Sequence, residues 1–203
     1  MKKSIWISLI ALIASLALAQ PKPPVPPTPP PVGPGTNAPL APNPSNPSSY
    51  REAERASKEL YRLQFELSHT QGPRVALAQR LASEAQRDFQ AQRYFQAAER
   101  AKAARKILVA QRFESGMLTA SPSGRPRPVS YSAPYRAQER ITRLEAELAY
   151  YRNNNPLVRQ LLQEARGLLS RVSPNDFSSL YQAEAAHHLA SAAGDLIKAD
   201  RGF

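Results

Sequence analysis

Few side chains in this 203-residue sequence are of types that do chemistry by themselves. Three histidines occur, His69, His187 and His188. Glu184 and His188 have the i,i+4 spacing that puts two metal ligands on one helix face. Zinc takes three or four protein ligands, and the sequence offers no third. His187 and His188 are adjacent, so on a helix they point about 100° apart and cannot share one ion. The pair reads as flanking an alanine-rich helix seam, and no metal is expected.

Carboxylates stand mostly at helical spacing from arginines, as in Arg62–Glu66 and Arg143–Glu147. That is the pattern of solvated ion pairs rather than of an acid/base dyad. No G-x-S-x-G, P-loop, H-E-x-x-H or dinucleotide-binding glycine pattern occurs. The absence of cysteine removes thiolate nucleophiles, Cys-ligated metals and disulfides. No catalytic residue, cofactor or small-molecule substrate is therefore assigned, and the chain reads as a non-enzyme.

Cations offer the other chemistry, the binding of anionic polymers or surfaces. Lys and Arg number 27 against 16 Asp and Glu, a formal charge of +11. The excess is concentrated between residues 48 and 127, which carry +7. The candidate anion-binding residues there are Arg93, Arg100, Lys102, Arg105, Lys106 and Arg112, followed by Arg125 and Arg127. A surface that tracks phosphates gathers its charge. On a helical wheel the first six do not form one stripe, so a soluble, arginine-rich helix surface is the plainer reading.

The elements that carry these residues look duplicated. Between 55–67 and 136–148, six of thirteen positions are identical at an offset of 81, among them Arg62-Leu63 with Arg143-Leu144. Leu77, Leu81, Glu84 and Ala85 recur as Leu157, Leu161, Glu164 and Ala165. Phe95-Gln96-Ala97 recurs as Tyr181-Gln182-Ala183. A period of about 80 residues with slips at the turns suggests two copies of one helical unit.

Each unit reads as three helices. In the first helix Ala53, Ala56, Leu60, Leu63 and Leu67 form one apolar stripe, matched by Ala137, Ile141, Leu144, Leu148 and Tyr151. Second helices are expected from about Pro73 to Phe89 and from Pro156 to Val172. Third helices are expected from about Arg93 to Arg112 and from Asn175 to Ala199, with Ser173 as a cap before Pro174. Their buried faces read as narrow and alanine-rich. Residues 116–130 form a Pro/Ser/Arg linker.

No window alternates with period two, so the expected fold is all-α. Its units, residues 48–115 and 131–203, form two three-helix bundles or one six-helix stack. A unit of about 70 residues is marginal alone, which favours packing between units or a homo-oligomer.

Ahead of the helices lies an export signal. Lys2 and Lys3 precede an apolar run from Ile5 to Ala19 that ends in Ala17-Leu18-Ala19, the layout of a secretory signal peptide over residues 1–19. Its removal takes the charge from +11 to +9. Residues 20–47 then hold 13 of the 20 prolines. Proline fixes φ and lacks an N–H, so this stretch favours extended polyproline II and serves as a disordered spacer.

The expected location is the periplasm, the cell envelope or the medium. The expected role is that of a helical interaction or scaffold protein with a protein partner in the envelope. The alternative is salt-sensitive binding of wall polymer, anionic lipid or extracellular DNA through basic residues of 48–127.

Overall fold

The structure, a computed structural model, describes residues 47–116, 129–173 and 176–202. The expected signal peptide, the spacer up to residue 46 and most of the linker, with Arg125 and Arg127, lie outside the described residues. Among the described residues all regular structure is helical. Six helices follow one another: α1 (Pro47–His69), α2 (Val75–Gln90), α3 (Tyr94–Glu114), α4 (Ala133–Tyr151), α5 (Pro156–Leu169) and α6 (Ser179–Arg201).

Local chemistry sets the boundaries, and in places shifts them from the expected ones. Pro73 does not open α2. Gly72 turns the chain at φ +132°, and the Arg74 amide donates to the Gln111 side chain of α3, so the helix begins at Val75. Asn155 caps α5, its side-chain oxygen accepting from the Leu157 amide at 3.0 Å with Pro156 at the first position.

The expected cap at Ser173 is corrected. Its carbonyl accepts from the Ser179 hydroxyl, while the Asp176 carboxylate accepts from the Ser178 amide and hydroxyl. These local side-chain bonds hold a turn and delay α6 to Ser179.

Ion pairs give the directions of the helices. Glu59 and Glu66 on α1 meet Arg105 and Arg112 on α3, seven steps apart in the same order, so α1 and α3 run parallel. Lys106 of α3 meets Asp195 of α6, and Phe113 stacks on His188, seven steps forward against seven back. Hence α3 and α6 are antiparallel. Helices α1 and α2 both pack on α3, α4 and α5 both pack on α6, and α3 packs on α6.

One apolar core draws residues from all six helices, including Leu63, Leu81, Ile107, Leu144, Leu161 and Leu189. The expected stripe of α1 faces inward, with Ala53, Ala56, Leu60 and Leu63 buried and Leu67 half-buried. For α3 and α6 the expectation of a narrow buried face is corrected. Each has three helical neighbours, so alanines on every side are covered: Ala97, Ala98, Ala101, Ala103, Ala104 and Ala110 on α3 alone. Small side chains let surrounding helices approach toward the short end of the usual separation of about 8–10 Å.

Candidate interaction surface

The cations of α3 are placed by the core that α3 crosses. Their aliphatic stems leave the buried alanine surface, and all the charged heads but that of Lys102 reach neighbouring helices. Arg93 lies 2.5 Å from Asp88 of α2, and Arg100 pairs with the same carboxylate. Lys102 is 2.9 Å from Glu99, Arg105 is 2.7 Å from Glu59 of α1, and Lys106 is 2.6 Å from Asp195 of α6. Arg112 pairs with Glu66 of α1.

The carboxylates Glu59, Asp88, Glu99 and Asp195 are buried, and each is bracketed by two cations. A carboxylate taken out of water is costly unless paired. The arginines and Lys106 therefore fasten α3 to its neighbours, Lys102 pairs within α3, and all six present less positive charge to a polymer. The structure places five of the six on α3 and Arg93 just before it, but not on one open face. Among the described residues, Arg51, Arg87, Arg152, Arg159 and Arg171 have no ion-pair partner, and Arg159 donates to the Asn154 side chain.

Of the histidines, His188 is the one packed against another helix's ring. His188 stacks on Phe113 with ring centroids 5.4 Å apart and 17° between planes. Burial, with Lys106, Arg136, Arg112 and His187 nearby, lowers its pKa to about 4, so the ring is neutral at pH 7. Glu184, its expected companion, instead pairs with Arg136 of α4. Among the described residues no group of three or more His, Asp or Glu side chains is placed to hold a metal ion.

What the sequence reading missed is the distribution of exposed apolar side chains. Tyr50, Tyr61 and Phe65 project from α1, Tyr135 and Tyr150 from α4, and Tyr131 and Phe177 from the turns before α4 and α6. Helices α2, α3, α5 and α6 contribute no large exposed apolar side chain among the described residues. The signal was present, since Tyr61 and Phe65 fall outside the stripe that ends in Leu63 and Leu67. Apolar residues off a helix's buried stripe are the ones to suspect of meeting a partner.

An open groove of about 500 Å³ runs between α1 and α2. Leu60, Leu63 and Leu67 line it with Ala82, and Gln64, Gln79, Gln86 and Arg87 contribute polar groups. The groove exists because α1 and α2 each pack more extensively on α3 than on each other.

The arrangement offers aromatic anchors and a polar-lined apolar groove, the components from which protein interfaces are built. Comparison of the chain with protein-family models, with curated proteins and with solved structures finds no match.

Proposed function

We propose that the chain is an exported, non-enzymatic interaction protein of the periplasm or cell envelope. In this reading residues 1–19 are a signal peptide and residues 20–47 a proline-rich spacer. The spacer holds a body of two duplicated three-helix units, 48–115 and 131–203, away from a membrane, wall or secretion exit. The body binds a protein partner through the aromatic side chains of α1.

The observation that carries the reading is the outward projection of Tyr61 and Phe65 on α1, the helix that also forms one wall of the groove with α2, while the α3 cations face carboxylates of their own chain. Paired contacts support the duplication. Arg55 pairs with Glu99 between α1 and α3, and Arg136, at offset 81, pairs with Glu184 between α4 and α6. Arg74, before α2, meets Glu114 at the end of α3, as Asn155, before α5, meets Asp200 near the end of α6.

The test has two parts. Fractionation and N-terminal sequencing should find a mature protein beginning at Gln20 outside the cytoplasm; a chain retained inside with Met1 intact would refute export. Affinity capture from envelope extract should return a partner that a Tyr61→Ser/Phe65→Ser variant no longer holds. Capture unchanged by the substitutions would remove α1 as the binding face. Capture lost in high salt and unaffected by them would favour the anionic-polymer reading instead.

A further inference from the structure

The outer face of α4 differs from that of α1. At the positions matching Tyr61 and Phe65 of α1, α4 has Thr142 and Ala146, both exposed. They floor a shallow hollow whose other lining residues are Tyr135, Gln138, Glu139 and Arg143. Tyr135 is 74% exposed and stands at one end of it. Glu139 has no ion-pair partner among the described residues, and Arg143 reaches only Glu147, at 3.9 Å. An unpaired carboxylate, a weakly paired guanidinium, a projecting aromatic ring and a small-residue hollow thus share one helix face.

At 100° per residue, Tyr135 and Ala146 lie near the middle of that face. Glu139 and Arg143 lie on one flank, Gln138 and Thr142 on the other. Consider two copies of α4 laid antiparallel about a dyad at the level of Arg140 and Ile141. Such a dyad sets each flank against the same flank of the second copy. Tyr135 then falls on Ala146, large against small, twice over. Glu139 faces Arg143 on one flank and Gln138 faces Thr142 on the other, again twice. The face is its own complement in shape and in charge, which is what an isologous interface requires.

We infer that the outer face of α4 is a self-association surface, on which a second copy of this chain docks through an antiparallel α4–α4 contact. One helix per copy is a small interface, at the low end of those that are specific. Association is therefore concentration-dependent. The proposal goes beyond the functional reading, needs neither export nor an envelope partner, and leaves α1 free for that partner.

The test is light scattering on the purified chain across a dilution series reaching about 1 mM, the weak end of measurable affinity. The mass should rise toward twice the monomer value. Glu139→Arg and Arg143→Glu singly should hold the protein at monomer mass, because each sets like charges opposite one another. The double variant Glu139→Arg/Arg143→Glu should restore the dimer. Circular dichroism should show unchanged helix content in all three, as expected for exposed positions. A Thr142→Cys variant, the single cysteine of its chain, should be joined to its twin by a short bismaleimide. A mass that stays monomeric to the highest concentration overturns the proposal. So does a dimer that is indifferent to the single reversals, or one that the double reversal fails to restore.

Discussion

Lys106 on α3 and Asp195 on α6 meet at 2.6 Å across the seam between the two central helices. The two ends of this pair are unequally wet: the Asp195 side chain is 6% exposed and that of Lys106 is 35% exposed. Lys198 adds a second cation, at 3.7 Å from the same carboxylate.

That inequality predicts an asymmetry between the two deletions. Removing the cation leaves a buried carboxylate facing only Lys198, and a buried charge that loses its partner costs the fold heavily. Removing the carboxylate leaves a long side chain whose head can turn to water. Lys106→Met should therefore destabilise by about 1–3 kcal/mol, allowing for partial screening at this edge. Asp195→Asn should cost clearly less. Urea midpoints of the two variants check this, and equal losses would contradict the asymmetry.

A second prediction concerns how anion binding can be tested. Reversing Arg100, Lys102, Arg105 and Lys106 to Glu looks from the sequence like removal of a binding patch. In the structure each faces a carboxylate: Asp88, Glu99, Glu59 and Asp195 respectively. The fourfold reversal sets like charges together at half-buried sites and should abolish the cooperative thermal transition. A fourfold reversal of Arg51, Arg87, Arg152 and Arg171, which have no such partners, should keep the transition within a few degrees. Thermal denaturation of both variants decides the matter. A folded first variant would mean that the α3 ion pairs do not hold the body together.

Much of the fold was legible because it is written in periodicity. The Ala53–Leu67 stripe and its counterpart Ala137–Tyr151 could be read as buried helix faces, and they are buried or half-buried. The central position of α3 and α6 was not legible. Alanine is compatible with either face of a helix, so Ala98, Ala103 and Ala110 gave no direction until the neighbours were known. The start of α6 was misread because Ser-Pro is a frequent helix opening, whereas Asp176 and Ser179 here close a turn first. The role of the α3 cations was hidden for a similar reason. Arg105 and Glu59 lie 46 residues apart, and no local spacing announces such a pair.

Glycine positions give a third prediction, in which two similar substitutions differ in sign. Gly72 has φ +132°, and a Cβ there would lie 2.6 Å from the Gln111 side chain. Gly72→Ala should destabilise by more than about 1 kcal/mol, through backbone strain and disturbance of the Gln111 bond to the Arg74 amide. Gly167 lies inside α5 with open space where a Cβ would go. Gly167→Ala should stabilise by about 0.5–1 kcal/mol through helix propensity. Chemical denaturation separates the two, and a shift of the same sign in both would count against the turn geometry at Gly72.

The last prediction follows from His188, whose ring packs against Phe113 between α3 and α6. Burial chiefly, then the positive charges of His187, Lys106, Arg136 and Arg112, lowers its pKa from the ordinary 6.5 to about 4. The unfolded chain takes up the proton first as pH falls, because its imidazole titrates near 6.5. The contribution of the neutral ring is therefore complete above pH 6.5 and lost as pH falls from 6.5 toward 4. The shift corresponds to roughly 3 kcal/mol at most. His188→Phe keeps an aromatic ring against Phe113 and cannot titrate. Carboxylates, and His187 with its own lowered pKa, remain in both proteins, so the difference between the two isolates His188. Urea titrations at pH 7, 5.5 and 4 should show the wild type losing ground to the variant at each step downward. Parallel pH profiles for the two proteins would mean that His188 is not held neutral at the seam.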